Sequence, residues 1–401
     1  MKKTLLAIAV LGAATMTAQA ANVTLYGAVD GGFDYNHTKV TTNGESTTTN
    51  SFKLADGLAG SNKVGIKGEE DLGNMKVGFK LENGFHVANG AMKTSGVLFD
   101  REARMYVKGA FGEVAAGRFG GLASAAGSYD LFFSGADAFD GGDNDVPYGF
   151  MHSTRYDNSL AYQTPEFAGL QGTLMYSFQK SGAQKDKMRD NNRYVGFGLT
   201  YNYDKLNLVG VVESQLAAKG EKNDTYKNSF TYSLGGNYDF GVAKLFAGGQ
   251  FAHHSNLGDL SQGIEFKHSD GLTDEQSKNV TKLFNKSQFN GFALTLGTQI
   301  PFGADSVTIG SYFGRYKNAY DLAHSFKYDE QQHEATFLKK DVKAKDGKFT
   351  IYGIAARYEH NLSKRTSLYA GAGFGQTKFS APDDKIKAQI AQVYAGLHHN
   401  F

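Results

Sequence analysis

Apolar and polar residues alternate with a period of two along most of this chain. The pattern is sharpest near the carboxyl end, where one parity comprises Val393, Ala395, Leu397, His399 and Phe401. Residues 22–35 and 230–239 alternate in the same way. Successive side chains of a β-strand point to opposite faces of the sheet. The sequence therefore predicts an all-β protein whose sheet has one apolar face and one polar face.

Short turns and long polar stretches punctuate this alternation. Seven short turns carry the Gly, Pro, Asn or Asp residues that reverse a chain, at 70–73, 110–112, 165–169, 204–205, 239–241, 301–304 and 361–364. Longer polar stretches lie near 37–60, 88–99, 121–152, 180–193, 216–228, 254–287, 318–348 and 379–388. With both ends on the short-turn side, this rhythm predicts about sixteen antiparallel strands. A barrel of that size is too wide for side chains to fill, so we expect a water-filled lumen.

The first twenty residues read as a secretory signal peptide. A basic start at Lys2 and Lys3 precedes an apolar run over 5–14 and the small-residue site Ala18-Gln19-Ala20. The apolar run is too short for a retained helix across a bilayer core of about 30 Å. We therefore expect cleavage before Ala21 and an exported domain over residues 21–401.

Composition narrows the class of protein further. Mean hydropathy is -0.40, and no other apolar run approaches the length of a membrane helix. Strands that show lipid at every second residue give a weak hydropathy signal, so a membrane barrel stays open. Thirty Phe and 22 Tyr, with no Trp, could supply the aromatic belts of such a barrel. The absence of Cys excludes disulfides, thiolate metal sites and cysteine nucleophiles. Nothing in the sequence calls for a cofactor, and a net charge of +2 gives no overall signal for nucleic acid.

Five motifs in order resemble the Gram-negative general porin family, in its neisserial-type branch. They are VTLYG at 23–27, GIKGEEDLG at 65–73, GR at 117–118, PEFAG at 165–169 and AGLHHNF at 395–401. The resemblance implies a homotrimer of sixteen-stranded outer-membrane barrels that passes ions and small hydrophilic solutes by passive diffusion. It also implies a third loop folded into each pore, and a terminal Phe401 that signals to the barrel-assembly machinery.

Strand parity assigns a basic inner wall to the predicted barrel. It turns seven basic side chains toward the lumen: Lys63, Lys67, Lys76, Lys80, Arg104, Lys108 and Arg155. The carboxylates of Glu69 and Glu82 take the same inward parity. The opposite register would place Lys or Arg on the lipid face, at a cost of about 2–4 kcal/mol for each.

Arg118 does not follow this parity. It shares the outward parity of Val114 and Ala116, so a lumenal Arg118 requires a bulge near Gly117. The porin resemblance favours that bulge, because the family has an arginine at the start of its inward loop.

An acidic stretch completes the predicted constriction. Residues 120–153 contain no Lys or Arg and include Asp130, Asp137 and Asp140. From charge alone this stretch could equally be an external, solvated loop. The resemblance places it in the lumen, where the three aspartates would face the basic wall and create a transverse field.

Other interpretations compete with a channel. The pairs His253-His254 and His398-His399 suggest a metal site, but neighbouring strand residues point to opposite faces, so we expect none. An outer-membrane lipid hydrolase would need a Ser and a His together, for which Ser311 and His399 are candidates. A surface adhesin or receptor barrel is the third alternative. The run 339–348 could bridge lipopolysaccharide phosphates or form a solvated loop tip. A non-enzymatic pore, with outer-membrane lipids and lipopolysaccharide as neighbours, is the leading interpretation.

Overall fold

The structure, a computed structural model, describes residues 22–220, 227–256, 288–318, 325–329, 334–338, 347–380 and 385–401. The predicted signal peptide lies outside the described residues. So do most of the predicted loops at 254–287 and 318–348, including Lys339 and Lys340. No helix among the described residues is long and apolar enough to cross a membrane.

Nineteen strands are described, together with one short α-helix and one 3-10 turn. The strands are β1 (Thr24–Thr42), β2 (Glu45–Asp56), β3 (Lys63–Asp71), β4 (Met75–Gly84), β5 (Glu102–Gly109), β6 (Gly112–Gly120), β7 (Arg155–Gln163), β8 (Leu170–Ser177), β9 (Arg193–Tyr203), β10 (Leu206–Leu216), β11 (Ser229–Asp239), β12 (Lys244–Asn256), β13 (Gln288–Phe302), β14 (Asp305–Asn318), β15 (Ser325–Asp329), β16 (Glu334–Leu338), β17 (Lys348–Asn361), β18 (Thr366–Ser380) and β19 (Lys385–Asn400). The helix α1 spans Phe132–Ala136, and the 3-10 turn spans Met188–Asp190.

Seventeen of these strands form one antiparallel sheet, which closes where β1 pairs with β19. Strands β15 and β16 form a separate hairpin. Residues 24–28 of β1 pair with β3, and residues 31–42 of β1 pair with β2. Strands β2 and β3 therefore lie one after the other beside β1 and together take the place of a single strand in the barrel wall. The barrel therefore has sixteen wall positions, which confirms the predicted strand number.

A buried carboxylate explains why β2 and β3 are separate. Asp30 of β1 is fully buried and accepts hydrogen bonds from the backbone N–H groups of Leu58 (2.8 Å) and Gly60 (3.0 Å). The Tyr369 hydroxyl donates to the same carboxylate at 2.7 Å. The side-chain amide of Asn62 donates to the backbone carbonyl of Asp30 at 3.0 Å. These contacts fold the connecting residues 57–62 against β1 and interrupt the wall strand.

The seven predicted short turns all coincide with connections between neighbouring strands. Several of them need the left-handed backbone that glycine tolerates, as at Gly73 (φ 89°) and Gly241 (φ 86°). The predicted long loop at 37–60 is wrong, because most of it is the β1–β2 hairpin with its turn at Asn43 and Gly44. This hairpin is rich in Thr and Ser on both faces, so it carries no apolar alternation to mark it as strand.

The two faces of the barrel differ as the alternation predicts. On β13 the large side chains of Phe292, Leu294 and Leu296 are exposed on the outside, whereas Ala293 and Thr295 between them are buried on the inside. An apolar exterior and a polar or small-residue interior follow directly from the period of two.

Candidate functional site: the constricted lumen

The segment between β6 and β7, residues 121–154, lies inside the barrel and is called here the inward loop. Its apolar side chains Leu122, Phe132, Phe133, Phe150 and Met151 are at most 2% exposed. Phe133 packs edge-on against Phe132 and Phe150, with ring centroids 5.0 and 5.8 Å apart. Such side chains would be exposed on an external loop, so their burial against the inner wall drives the inward fold.

The inward loop is hydrogen-bonded to the wall at several places around the barrel. Near its start, the Leu122 backbone N–H donates to the Tyr194 hydroxyl at 3.0 Å. At α1, the side chain of Asn237 donates to the carbonyl of Gly135 at 2.7 Å. On the return path, the Tyr316 hydroxyl donates to the carbonyl of Gly149 at 2.7 Å. These partners lie on β9, β11 and β14, so the loop follows the inner wall rather than hanging free.

Asp137 anchors the middle of the inward loop. Its buried carboxylate accepts the backbone N–H groups of Gly141 and Gly142, each at 2.8 Å. It also accepts the hydroxyls of Thr295 (3.2 Å) and Tyr312 (3.1 Å) from β13 and β14. Asp137 therefore joins a tight turn of the loop to the barrel wall.

Asp143 makes a second anchor on the far side of the lumen. Its carboxylate accepts the Tyr394 hydroxyl of β19 at 2.7 Å and lies 3.5 Å from the Arg357 guanidinium of β17. Burial of this carboxyl group raises the pKa of Asp143 to about 6, and the Arg357 charge opposes that rise.

Asp130 and Asp140 interact with the loop itself. Asp130 accepts backbone N–H groups of Ser124 (3.0 Å), Ala125 (3.1 Å) and Ser134 (2.9 Å). Burial, together with the neighbouring Asp140 carboxylate, raises the pKa of Asp130 above its usual range. The pair therefore carries less negative charge near neutral pH than two independent carboxylates would.

The opposite wall is basic but largely charge-paired. Lys67, Lys80 and Arg104 stand in one cross-strand row of β3, β4 and β5. Lys80 pairs with Glu102 at 2.8 Å, and Arg104 pairs with Glu113 at 2.7 Å. The structure does not place Asp130, Asp137 or Asp140 in an ion pair with any of the basic residues predicted to face them.

Lys80 and Arg104 also hold the first turn of the inward loop. Lys80 Nζ donates to Ser128 Oγ at 3.2 Å, and Arg104 Nη1 donates to the Tyr129 hydroxyl at 2.9 Å. Both side chains therefore fix the loop as well as lining the lumen.

Three cations of this wall lack such carboxylate partners. Among the described residues Lys63, Lys67 and Arg155 form no ion pair. Lys67 Nζ lies over the Tyr26 ring, 5.4 Å from its centroid.

The extra residue in β7 makes Tyr156 face inward and gives Arg155 the opposite parity, but the half-buried Arg155 side chain still interacts electrostatically with the lumenal charges of Lys63 and Glu82. The Nε of Arg155 has no hydrogen-bond partner. None of the three charges is therefore neutralised by a direct ion pair, although the Glu82 carboxylate acts electrostatically on both Lys63 and Arg155.

A closed barrel with this inward loop matches known proteins over nearly its whole length. The model of the Gram-negative porin family matches residues 6–380. The chain belongs to the Gram-negative porin family. An outer membrane porin protein of Bordetella pertussis is 28% identical over 431 residues, covering 100% of both chains. The major outer membrane protein P.IB of Neisseria gonorrhoeae is 28% identical over 406 residues, again covering 100% of both.

A solved structure shows the same fold. The anion-selective porin from Comamonas acidovorans has a TM-score of 0.62 and 23% identity, covering 95% of this chain and 100% of that one. The neisserial-type branch and the outer-membrane location predicted from the sequence are thereby confirmed. The porin is a diffusion channel, and its family and fold point to a pore rather than an enzyme. The short turns are periplasmic and the long loops extracellular.

Arg118 occupies a different setting in the porin from the one predicted. The pairing of β6 with β7 does shift between Gly117 and Phe119. The extra residue is in β7, however, where Asn158 has φ 48°. Phe119 is buried against Tyr129 of the inward loop, so Arg118 between Gly117 and Phe119 keeps the parity of the outward positions.

The Arg118 guanidinium is held by neighbouring strand ends. Its Nη1 lies 2.5 Å from an Asp157 carboxylate oxygen, and its Nε donates to the carbonyl of Asp100 at 2.8 Å. The side chain thus joins the segments that lead into β5 and β7 and is neutralised where it stands.

Carboxylates of the porin wall neutralise more of the basic row than strand parity indicated. Glu102 has the same parity as Arg104, and Glu113 is only one strand away. The signal was present in the sequence as parity, but parity alone does not show which inward charges pair. The predicted site residues also did not include Tyr312, Arg357 and Tyr394, which have inward parity and bind the loop.

The histidine pairs require one correction. The rings of His253 and His254 are only 3.8 Å apart, because the β12–β13 pairing shifts between Ala252 and Ser255 and His254 has φ 53°. The expectation that adjacent strand residues diverge is therefore wrong at this pair. Even so, no group of three His, Asp or Glu in the described part of the chain is arranged to hold a metal ion.

The residues considered for a hydrolase are not brought together. Ser311 of β14 donates to the carbonyl of Leu296, whereas His399 of β19 contacts Thr366. Two wall strands, β17 and β18, separate β14 from β19.

Proposed function

We propose that this porin passes anions in preference to cations. The observation that carries the proposal is a set of three cations, Lys63, Lys67 and Arg155, that form no ion pair among the described residues, beside basic residues Lys80 and Arg104 that do. An unpaired charge in a narrow lumen changes the local concentration of permeating ions. The fold relative from Comamonas acidovorans, described as anion-selective, supports the same direction.

In this proposal the predicted site residues divide into two groups. Lys67 and Arg155 act directly on permeating ions, whereas Lys80 and Arg104 mainly hold the inward loop. Asp130 and Asp137 shape that loop, and Asp140 contributes charge at its exposed surface. Arg118 acts by fixing the strand ends that lead into the loop.

A salt gradient across a planar bilayer tests this selectivity. We expect the wild-type protein to give stepwise currents. Their reversal potential should have the sign of the equilibrium potential of the anion. A reversal potential of the cation sign would contradict the proposal while leaving the pore itself intact.

We propose that the porin assembles as a homotrimer. Closed cyclic symmetry is the usual solution for identical subunits, and an OmpT of Vibrio cholerae with the same fold is described in a trimer form. Native mass spectrometry of unheated, detergent-solubilised protein should give three times the single-chain mass. A single-chain mass under those conditions would overturn the trimer.

We propose that Phe401 is a recognition signal for the barrel-assembly machinery. Its backbone exchanges two hydrogen bonds of 3.1 Å with Gly27, and its exposed ring has the outward parity of β19. Deleting Phe401 should lower the outer-membrane level several-fold, as measured by blotting of membrane fractions. Phe302→Ala is the matched control, since Phe302 is another exposed aromatic at the periplasmic rim. An equal loss in both variants would reduce Phe401 to an ordinary belt residue.

A further inference from the structure

Six basic side chains crowd the outer surface of the porin at the extracellular ends of four neighbouring strands. They are Arg315, Lys317, Lys348, Lys378, Lys385 and Lys387, called here the outer basic rows. One row runs through Arg315, Thr350, Lys378 and Lys387, and the next runs through Lys317, Lys348, Ser380 and Lys385. Strands β14, β17, β18 and β19 carry both rows side by side.

These side chains have the lipid-facing parity of their strands. On β14 the buried inward residues are Tyr312 and Tyr316, so Phe313, Arg315 and Lys317 point outward. On β17 the exposed Tyr352 points outward, and Thr350 and Lys348, which lie nearer the extracellular end of the strand, share its face. The first basic side chain therefore lies one outward position beyond Phe313 on β14 and two outward positions beyond Tyr352 on β17.

That position corresponds to the level of the lipid headgroups. Phe313 is exposed and packs on the exposed Phe292, with ring centroids 6.0 Å apart, as expected of an aromatic belt. Arg315 lies two residues further along the strand, which is about 7 Å at the usual rise. An anionic headgroup whose acyl chains contacted Phe313 would therefore reach the first basic row.

The rows contain like charges that face each other directly. Lys317 is paired in register with Lys348, and Lys378 is paired with Lys387. Directly opposite like charges destabilise a sheet. None of the six forms an ion pair among the described residues. The only carboxylate on these four strands apart from Asp305 is that of Glu359, and both lie at the periplasmic end. No carboxylate among the described residues pairs with the two rows, and an external anion would relieve this repulsion.

Strands β10, β11 and β12 do not repeat this feature. At the extracellular ends of β10, β11 and β12 the outward positions hold Ser214, Phe230 and His253.

We infer that the outer basic rows bind the phosphate groups of lipopolysaccharide in the outer leaflet. The site has the composition that such a ligand requires, with paired ammonium groups for phosphate and an adjoining aromatic surface for acyl chains. The inference goes beyond ion selectivity and does not rest on it. It predicts one preferred lipid-binding face, on β14 to β19, rather than an evenly covered barrel.

Binding of purified lipid A to the full-length porin in detergent tests the inference. The test variant is Lys378→Gln with Lys387→Gln, and Lys317→Gln with Lys348→Gln is an independent second pair. The matched control is Lys205→Gln with Lys364→Gln, because both lysines are exposed in periplasmic turns. Each protein is titrated with lipid A carrying both phosphates, with dephosphorylated lipid A and with inorganic phosphate, and bound ligand is counted by native mass spectrometry.

We expect each test pair to bind bis-phosphorylated lipid A about thirtyfold more weakly than wild type, from the contribution of Lys beside an anionic lipid surface. The control pair should bind as wild type does. Dephosphorylated lipid A should bind all four proteins equally weakly.

Three results would overturn the inference: unchanged binding in both test pairs, an equal loss in the control pair, or equal binding of the dephosphorylated lipid by wild type. Tight binding of inorganic phosphate alone would also overturn it, by showing a free-anion site instead. Single-channel conductance, measured on the same proteins, confirms that each variant is a folded pore.

Discussion

Replacing Lys63, Lys67 and Arg155 together with Gln is expected to lower the anion-to-cation permeability ratio of the pore by about tenfold or more. At a separation of about 8 Å, even with the dielectric constant of water, one unit charge changes the energy of a permeating ion by about 0.5 kcal/mol. Three charges acting together therefore change the local anion concentration by about tenfold. The measurement is the reversal potential in a KCl gradient, taken near 0.1 M where the screening length is about 10 Å.

The control for this experiment removes the same number of charges elsewhere. Lys205, Lys244 and Lys364 lie in or beside the periplasmic turns, and replacing all three by Gln should change selectivity much less. Salt screens exposed charges at the pore mouth more strongly than charges inside the lumen. If the periplasmic triple variant moved the reversal potential as far as the lumenal one, the selectivity site would have to be sought elsewhere.

The barrel itself could be predicted well from sequence, for a physical reason. Each wall strand contacts lipid on one side and water on the other, so the period of two is imposed on nearly every segment. The same rule failed where both sides meet water. The β1–β2 hairpin projects beyond the apolar belt with Thr and Ser on both faces, and it was therefore predicted as a loop.

The constriction was less predictable, because it depends on contacts between distant segments. Parity assigned Lys67, Lys80 and Arg104 to the lumenal face, but it could not show that they stand in one row or that Glu102 and Glu113 neutralise two of them. The inward position of the loop came from family resemblance rather than from its charge. In the folded chain that position follows from buried Phe side chains and from carboxylates bound to wall hydroxyls.

Local irregularities account for the remaining differences. A single extra residue in β7 leaves Arg118 on the outward parity, and a similar shift in β12 brings His253 and His254 together. Bulges of this kind change the direction of one or two side chains without altering the hydrophobic pattern of the strand. Sequence alternation therefore gives the average orientation of a strand but not its exceptions.

Replacing Asp137 with Ala should release the inward loop and open the constriction. The change removes the acceptor of four hydrogen bonds, from the backbones of Gly141 and Gly142 and the hydroxyls of Thr295 and Tyr312. A buried polar group without a partner costs about 1–3 kcal/mol. Leaving several such groups without partners therefore destabilises the inward conformation of the loop. We expect larger and noisier single-channel currents, and faster entry of neutral sugars into liposomes.

Two further variants separate loop release from a simple loss of charge. Asp140→Ala removes a carboxylate from the same loop, but Asp140 is exposed and forms no ion pair with the wall among the described residues, so its pore should conduct with wild-type steadiness. Tyr312→Phe keeps every charge and removes only one donor to Asp137, so it should give an intermediate increase in current noise. The strand ladder holds the barrel independently of the loop, and unheated gel mobility should therefore be unchanged in all three. Wild-type conductance and sugar permeation in the Asp137→Ala protein would mean that the buried Phe residues alone hold the loop in place.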